Sequence, residues 1–182
     1  MGNTRNPKSP KKRNGKKFYH QGFYKIINEE KYMGDTKKCI YRSSWELKFM
    51  MFLDHEKDIV RWGSETITIP YQDGEGKFHR YYPDIYIEKV NVKDPDILDK
   101  WVIEIKPYKE VNPGFINENG TIEPPERYIK KFTPTALESY EYQLKTYQKN
   151  LYKWTKAKYW CENNGMTFKI VTEKYLKKIG IL

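Results

Sequence analysis

Two short segments of the chain contain the side chains best suited to catalysis. They read Pro83-Asp84 and Glu104-Ile105-Lys106, and apolar residues flank both. Alternate residues of an extended strand share a face, so Glu104 and Lys106 project together while Ile105 points to the opposite, apolar side. If the two segments pair as neighbouring strands, we expect Asp84, Glu104 and Lys106 to converge at one place.

Two carboxylates at such a place repel each other unless a proton or a cation lies between them. A hard divalent cation meets that need, because Mg²⁺ prefers oxygen ligands and keeps some of its water. The metal acidifies a retained water into a competent nucleophile, and the Lys106 ammonium can orient or deprotonate that water. We therefore predict a Mg²⁺ site at Asp84 and Glu104, with Mn²⁺ as a substitute. The competing interpretation is a surface strand that carries a cross-strand Glu–Lys pair.

A third acid lies upstream of both segments. Glu46 follows Ser43 and Ser44, and either serine can cap a helix whose apolar positions run over 45–53. The alternative role for Glu46 is an interaction with the dipole of this helix. Glu65, at the start of the first predicted strand, is the rival third acid.

The elements that must position these side chains follow a simple order. The patterns predict a helix at 45–53, strands at 65–71, 80–88 and 100–106, a long loop at 107–134, a helix at 135–163, a strand at 167–172 and a short helix at 173–179. The loop contains five prolines and two glycines, and loops of this length are usually functional or disordered. Residues 1–20 are predicted to be a flexible basic arm, and residues 21–182 a single α/β domain with a mixed sheet.

The positive charge of the chain is concentrated at its two ends. The formal net charge is +10, to which residues 1–20 contribute +7, residues 21–140 contribute −3 and residues 141–182 contribute +6. A polyanion is the natural partner, because each neutralised phosphate releases counterions and strengthens binding. A solvated tail that keeps the protein soluble is the alternative. The candidate DNA contacts are Arg5, Lys11, Lys12, Arg13, Arg42 and Lys153.

Composition excludes several other classes of protein. The chain has only two cysteines, Cys39 and Cys161, which excludes a disulfide scaffold and a cysteine-rich zinc module. No run approaches the roughly 18–20 apolar residues of a membrane span, and the N-terminus lacks the apolar stretch of a signal peptide. We therefore expect no membrane partner.

The PD and EIK segments resemble the two half-motifs of the PD-(D/E)XK nuclease superfamily. The predicted order of elements also resembles the αβββαβ core of that superfamily, with its mixed central sheet. The resemblance implies a restriction-endonuclease-like fold in which Asp84, Glu104 and the carbonyl of Ile105 hold the metal. It also implies that Lys106 positions the attacking water. Glu46 would bind the metal directly or through water, and so complete or support the site.

The long helix predicted at 135–163 contributes a second pattern. Its apolar stripe has a 3-4-3-4-3 spacing and consists of Leu137, Tyr140, Leu144, Tyr147, Leu151 and Trp154. Gln143 and Tyr147 match the QxxxY pattern of RecB-like nucleases, and so do Gln148 and Tyr152. Gln143, Gln148 and Asn150 border the stripe, where they either assist the site or simply flank the core.

A wider resemblance runs along nearly the whole chain. It rests on Thr4–Pro10, Tyr41–Glu46, Trp62–Glu65, Arg80–Asp84, Glu104–Pro107 and Phe168–Glu173. These segments resemble the head completion proteins of T-even-type tailed phages and, more distantly, the endonuclease subunit of Tn7-type transposases. The resemblance implies a Mg²⁺-dependent DNA endonuclease that processes packaged DNA before the tail attaches. Its partners would be phage head or portal components, and its location the host cytoplasm during assembly or the virion head.

Two rival functions remain open at this point. A non-catalytic DNA-binding structural protein at the portal vertex would bind DNA whatever the metal and whatever residue stands at Asp84. A general repair or recombination nuclease would cut DNA but would have no structural role.

Overall fold

The computed structural model describes residues 21–73, 75–112, 115–116, 122–123 and 133–182. The predicted basic arm, with Arg5, Lys11, Lys12 and Arg13, lies outside the described residues, as does much of the predicted loop at 107–134.

The described elements follow one another along the chain in this order: β1 (Gly22–Phe23), β2 (Ile40–Tyr41), α1 (Ser44–His55), β3 (Ile59–Ser64), β4 (Ile69–Gln72), β5 (Phe78–Tyr81), β6 (Ile85–Val90), β7 (Leu98–Ile105), α2 (Tyr108–Val111), β8 (Phe115–Ile116), β9 (Ile122–Glu123), α3 (Pro134–Asn163), β10 (Thr167–Val171) and α4 (Glu173–Lys178). Two 3₁₀ turns, Glu29–Lys31 and Thr36–Lys38, lie between β1 and β2.

A four-stranded sheet with the order β10-β7-β6-β3 forms the centre of the fold. β6 pairs antiparallel with both β3 and β7, whereas β10 pairs parallel to β7. The predicted α/β class and the mixed central sheet are therefore confirmed. The core elements also follow the expected αβββαβ order, which here consists of α1, β3, β6, β7, α3 and β10. The β4–β5 hairpin is inserted after β3.

The strand predicted at 65–71 is wrong, because the first strand of the central sheet is β3. A bulge between Ile59 and Arg61 breaks the alternation of β3, so the sequence pattern did not reveal it. Glu65 then takes a positive φ of 52°, a conformation that ends extended structure. The part of the predicted strand that is extended, β4, pairs with β5 outside the central sheet.

The single strand predicted at 80–88 is two strands. β5 ends at Tyr81 and β6 begins at Ile85. Pro83 lies between them and has no N–H to donate to a neighbouring strand, which interrupts the ladder. The chain leaves the β4–β5 hairpin at this point and enters the central sheet.

The loop predicted at 107–134 is partly structured. Its described residues include the single turn of α2 and the two-residue strands β8 and β9, which pair with each other. Local propensity did not predict these elements, because prolines and glycines recur along the segment.

Two apolar layers cover the two faces of the central sheet. Ile85 and Ile87 of β6 and Ile103 and Ile105 of β7 pack in one layer with residues of α1 and α4, namely Phe49, Met50, Leu53 and Leu176. Tyr86 and Val102 pack in the other layer with residues of α3, namely Trp154, Ala157 and Cys161. The predicted alternation is thus confirmed, and Glu104 lies on the face that α3 covers.

The buried face of α3 is rotated from the predicted stripe. Leu137 and Leu151 are 44% and 46% exposed, so both are wrong as core positions. The buried residues of this helix are Tyr140, Asn150, Trp154, Ala157 and Cys161. The small side chains at 157 and 161 allow α3 to lie close to the sheet, and this contact sets the rotation. Of the helices that the structure describes, including the 30-residue α3, none is both long and apolar enough to cross a membrane.

Candidate active site

The candidate active site lies where β6 begins and β7 ends. The β6–β7 register pairs Ile85 with Ile103, so Asp84 comes opposite Glu104. The Oδ2 atom of Asp84 accepts a hydrogen bond from the Ile105 backbone N–H at 2.7 Å. Lys106 follows Ile105 in the chain, and its Nζ atom lies 3.1 Å from Glu104 Oε1. The structure therefore brings together the three side chains that the strand pattern placed on one face.

Two carboxylates, Asp84 and Glu104, face one ammonium, Lys106, at this site. Burial raises the pKa of Asp84 to about 7, and the negative charge of Glu104 adds to this effect against the opposing Lys106 ammonium. Burial alone lowers the pKa of Lys106, but Glu104 and Asp84 outweigh it and hold this pKa above its usual value. Lys106 therefore keeps its proton at neutral pH, which suits it to donate hydrogen bonds rather than to act as a base.

The donor set fits a hard divalent cation. Two carboxylates and the Ile105 carbonyl are oxygen donors, which Mg²⁺ prefers. The raised pKa of Asp84 means that ionising this buried carboxyl beside Glu104 is unfavourable, and a bound cation would relieve that cost. Among the residues that the structure describes, no three His, Cys, Asp or Glu side chains lie close enough to share a metal ion.

Glu46 lies at the start of α1, where it completes a capping box. Ser43 is the N-cap and accepts a hydrogen bond from the Glu46 backbone N–H at 3.1 Å. The Glu46 carboxylate accepts bonds from the Ser43 hydroxyl at 2.9 Å and from the Arg42 backbone N–H at 2.8 Å. Its charge contributes to the raised pKa of Asp84, but it does not form a three-acid cluster with Asp84 and Glu104.

The rival acid, Glu65, is engaged by Arg42. The guanidinium of Arg42 donates two hydrogen bonds to the Glu65 carboxylate, at 2.7 and 3.0 Å. The backbone N–H of Glu65 donates to the Asp84 carbonyl at 3.1 Å. Glu65 thus holds the predicted DNA contact Arg42 close to the site, and its positive φ is part of that arrangement.

An open cleft of about 660 Å³ lies beside Ile105 and Lys106. The charged residues that line it are three cations, Arg42, Lys106 and Lys109, and three acids, Glu46, Glu110 and Glu173. The three cations offer hydrogen-bond donors to a phosphate group next to Lys106.

Side chains of α3 reach the other side of the site. Lys153 Nζ lies 4.9 Å from the centre of the Tyr81 ring. Burial lowers the pKa of Lys153, and the charge of Glu104 opposes that effect. Asn150 is buried on the same side of α3, Gln143 is half-buried and Gln148 is exposed. Of the two QxxxY matches, the one that begins at Gln143 therefore faces the rest of the molecule.

The contact of Tyr81 with the site was not predicted. Its hydroxyl donates a hydrogen bond to Glu104 Oε2 at 2.6 Å. A continuous strand over 80–88 would put Tyr81 and Asp84 on opposite faces, because side chains alternate. The break between β5 and β6 at Pro83 allows both side chains to face the site. The proline directly before Asp84 was the only sequence signal of this break.

Two comparisons with known proteins bear on these residues. Residues 56–173 match the family model described as the TnsA-like endonuclease N terminal domain. This range includes Asp84, Glu104, Lys106 and Lys153. The chain is also 36% identical over 154 residues to the head completion nuclease of Enterobacteria phage T4, across 84% of this chain and 91% of the phage T4 protein. The matched domain has a PD-(D/E)XK-like nuclease fold, in agreement with the sheet described above. The chain therefore belongs to the TnsA-like endonuclease family.

Proposed function

We propose that this protein is a Mg²⁺-dependent DNA endonuclease that hydrolyses phosphodiester bonds during phage head completion. The observation that carries the proposal is the convergence of Asp84, Glu104 and Lys106 at adjoining strand ends of an endonuclease-family chain. Asp84 Oδ2 accepts from the Ile105 N–H at 2.7 Å and Lys106 Nζ pairs with Glu104 at 3.1 Å. This pairing of one buried and one half-buried acid with one ammonium suits a metal-dependent hydrolase better than a structural ion pair.

Each side chain has a distinct role in the proposed reaction. Asp84, Glu104 and the Ile105 carbonyl would hold Mg²⁺, which when bound supplies Lewis acidity and acidifies a water. The Lys106 ammonium, fixed by Glu104, donates a hydrogen bond to the attacking water or to a phosphate oxygen and so fixes its approach. Glu46 would not be a direct ligand of the metal. It would support the site through its negative charge or through a water that bridges it to the metal.

Cations around the cleft would bind the DNA backbone. Arg42 and Lys109 line the cleft beside Lys106, and Lys153 lies on the α3 side. Residues 1–20 add seven positive charges without an acid, which strengthens DNA binding through counterion release.

The biological setting of the proposal comes from the phage relative. The printed name of the phage T4 protein is head completion nuclease, and the two chains align over most of their lengths. We propose that this chain likewise acts late in head assembly, in the host cytoplasm, with head or portal components as partners. Processing of packaged DNA before tail attachment is the role that fits a nuclease at that stage.

Alanine at Lys106 and asparagine at Asp84 test the proposal. We expect Lys106→Ala and Asp84→Asn to reduce Mg²⁺-dependent cleavage at least about 100-fold, because the first removes the ammonium that fixes the water or phosphate and the second removes a ligand of the metal. Lys100→Ala is the matched control, since Lys100 is an exposed lysine at the other end of β7, and it should cut normally. Cleavage is measured on linear, branched and single-stranded DNA with and without Mg²⁺. Wild-type protein that binds DNA irrespective of Mg²⁺ and never cuts would instead indicate the non-catalytic structural role.

A further inference from the structure

Tyr81 is buried beside the carboxylate pair and bonds directly to one of its members. Its side chain is 5% exposed and that of Glu104 is 2% exposed. The Tyr81 hydroxyl donates to Glu104 Oε2 at 2.6 Å, while Glu104 Oε1 lies 3.1 Å from Lys106 Nζ. Each oxygen of Glu104 thus has its own partner, and rotation of the carboxylate would break both contacts.

The Tyr81 ring is itself held from several sides. The β4–β5 register pairs Tyr81 with Ile69, which is fully buried. Phe168 of β10 makes an edge contact with the ring at 6.4 Å between centroids, and Lys153 Nζ lies 4.9 Å from the ring centre. These contacts restrict the ring and keep its hydroxyl directed at Glu104.

We propose that Tyr81 is a positioning residue that orients the Glu104 carboxylate for the divalent cation. This inference rests on the proposed function, since it assigns Tyr81 to the same metal site. A phenol is protonated at neutral pH and can only donate to a carboxylate, so the bond fixes which lone pairs of Glu104 remain available. The β4–β5 hairpin, which follows β3 in the chain, thereby belongs to the active site although it lies outside the central sheet.

The structure contains a matched tyrosine for comparison. Tyr86 is also 5% exposed, and its hydroxyl donates to Glu88 Oε1 at 2.9 Å. Glu88 is 6% exposed and pairs with a cation, Arg61, at 3.0 Å. The two tyrosine–glutamate–cation sets therefore share burial and bonding, but only Glu104 belongs to the candidate active site.

The test measures Mg²⁺ binding without DNA in full-length wild type, Tyr81→Phe and Tyr86→Phe by calorimetry. We expect Tyr81→Phe to weaken Mg²⁺ binding about 10–100-fold, the effect typical of removing an outer-shell partner. Tyr86→Phe should bind Mg²⁺ like the wild type, although both variants lose a buried hydrogen bond. In cleavage assays, Tyr81→Phe should need correspondingly more Mg²⁺ to reach half-maximal rate.

The comparison of the two tyrosine variants separates orientation of Glu104 from a general structural effect, because both lose a buried hydrogen bond to a glutamate. Equal Mg²⁺ affinities for Tyr81→Phe and Tyr86→Phe, with normal binding by the wild type, would overturn this inference and leave the proposed function standing. A wild-type protein that binds no Mg²⁺ would overturn both.

Discussion

Asp84 and Glu104 lie close together in a buried part of the sheet, and this proximity is unfavourable for the fold without a cation. The pKa of Asp84 is raised to about 7 by burial and then by Glu104. In the unfolded chain an aspartate titrates near pH 4. Ionisation of Asp84 therefore opposes folding increasingly from about pH 4 to pH 7, and the full cost is present above pH 7.

Asparagine at Asp84 should consequently stabilise the metal-free protein at alkaline pH. At pH 8 in EDTA, we expect the free energy of unfolding of Asp84→Asn to exceed that of the wild type by on the order of 1 kcal/mol or more. Near pH 4 the two proteins should have similar free energies of unfolding. Mg²⁺ should raise the melting temperature of the wild type but not that of the variant. Denaturant and thermal unfolding measure both effects.

The control for this prediction is Asp58→Asn. Asp58 has a 62% exposed side chain and lies 4.0 Å from its cation, Lys89. An exposed pair of this kind contributes little to stability, so Asp58→Asn should differ little from the wild type at either pH. A lower stability of Asp84→Asn than of the wild type at pH 8 would contradict the electrostatic interpretation.

At the scale of elements, helix α1 is held in place by its N-cap. The Ser43 hydroxyl both accepts from the Glu46 N–H and donates to the Glu46 carboxylate. We expect Ser43→Ala to lower the free energy of unfolding by about 1 kcal/mol, the usual cost of a lost N-cap. Ser44→Ala, at the first exposed helical position, should cost less than about 0.5 kcal/mol. Urea unfolding compares the two, and equal losses would show that the cap contributes no specific stability.

The sequence predicted the elements whose local pattern agrees with their packing. Helix α1 and strands β7 and β10 have the expected positions, because caps and alternating apolar residues mark them. The strand β3 was missed because its bulge disrupts the alternation. The separation of β5 from β6 was missed because Pro83 interrupts what reads as one strand. The position of Tyr81 depends on that interruption, so no periodic pattern could predict its contact with Glu104.

The site was predicted more completely than the fold around it. Asp84, Glu104 and Lys106 follow from two strands that pair in register, which short segments can indicate. The engagement of Glu46 in a capping box is also readable from Ser43 and its spacing. The face of α3 is not, since small residues at 157 and 161 let the helix approach the sheet more closely than the apolar stripe suggests.

Across the whole molecule, one buried acid connects the segment at residues 24–28 to helix α1. Asp54, near the end of α1, is fully buried. Its carboxylate accepts bonds from the Tyr24 hydroxyl at 2.7 Å and from the Ile27 and Asn28 backbone N–H groups at 2.8 and 3.1 Å. Burial raises the pKa of Asp54, but these three bonds outweigh burial and hold it below its usual value.

This arrangement gives the fold a component of acid sensitivity. Because the pKa of Asp54 is lower in the folded state, its contribution is fully present above about pH 4 and is lost as the pH falls further. We expect Asp54→Asn to lower the free energy of unfolding by roughly 2 kcal/mol at pH 7 and by less at pH 3. Urea unfolding at the two pH values measures the difference. A deficit in Asp54→Asn that is larger at pH 3 than at pH 7 would contradict the linkage.

The distribution of charge along the chain agrees with the proposed function. The acidic central region contains Asp84 and Glu104, and the basic residues 1–20 and 141–182 flank it in the chain. Basic segments attract the DNA backbone, while the carboxylates attract the cation that the proposed chemistry requires.

The rate of DNA cleavage as a function of Mg²⁺ concentration shows whether Asp84, Glu104 and Lys106 form a metal-dependent active site. Wild type and Lys100→Ala should cut with the same saturable dependence on Mg²⁺ and should stop cutting in EDTA. Lys106→Ala should remain folded, bind DNA and cut at least about 100-fold more slowly at every Mg²⁺ concentration. Cleavage by Lys106→Ala at the wild-type rate, or cleavage by the wild type in EDTA, would contradict the account.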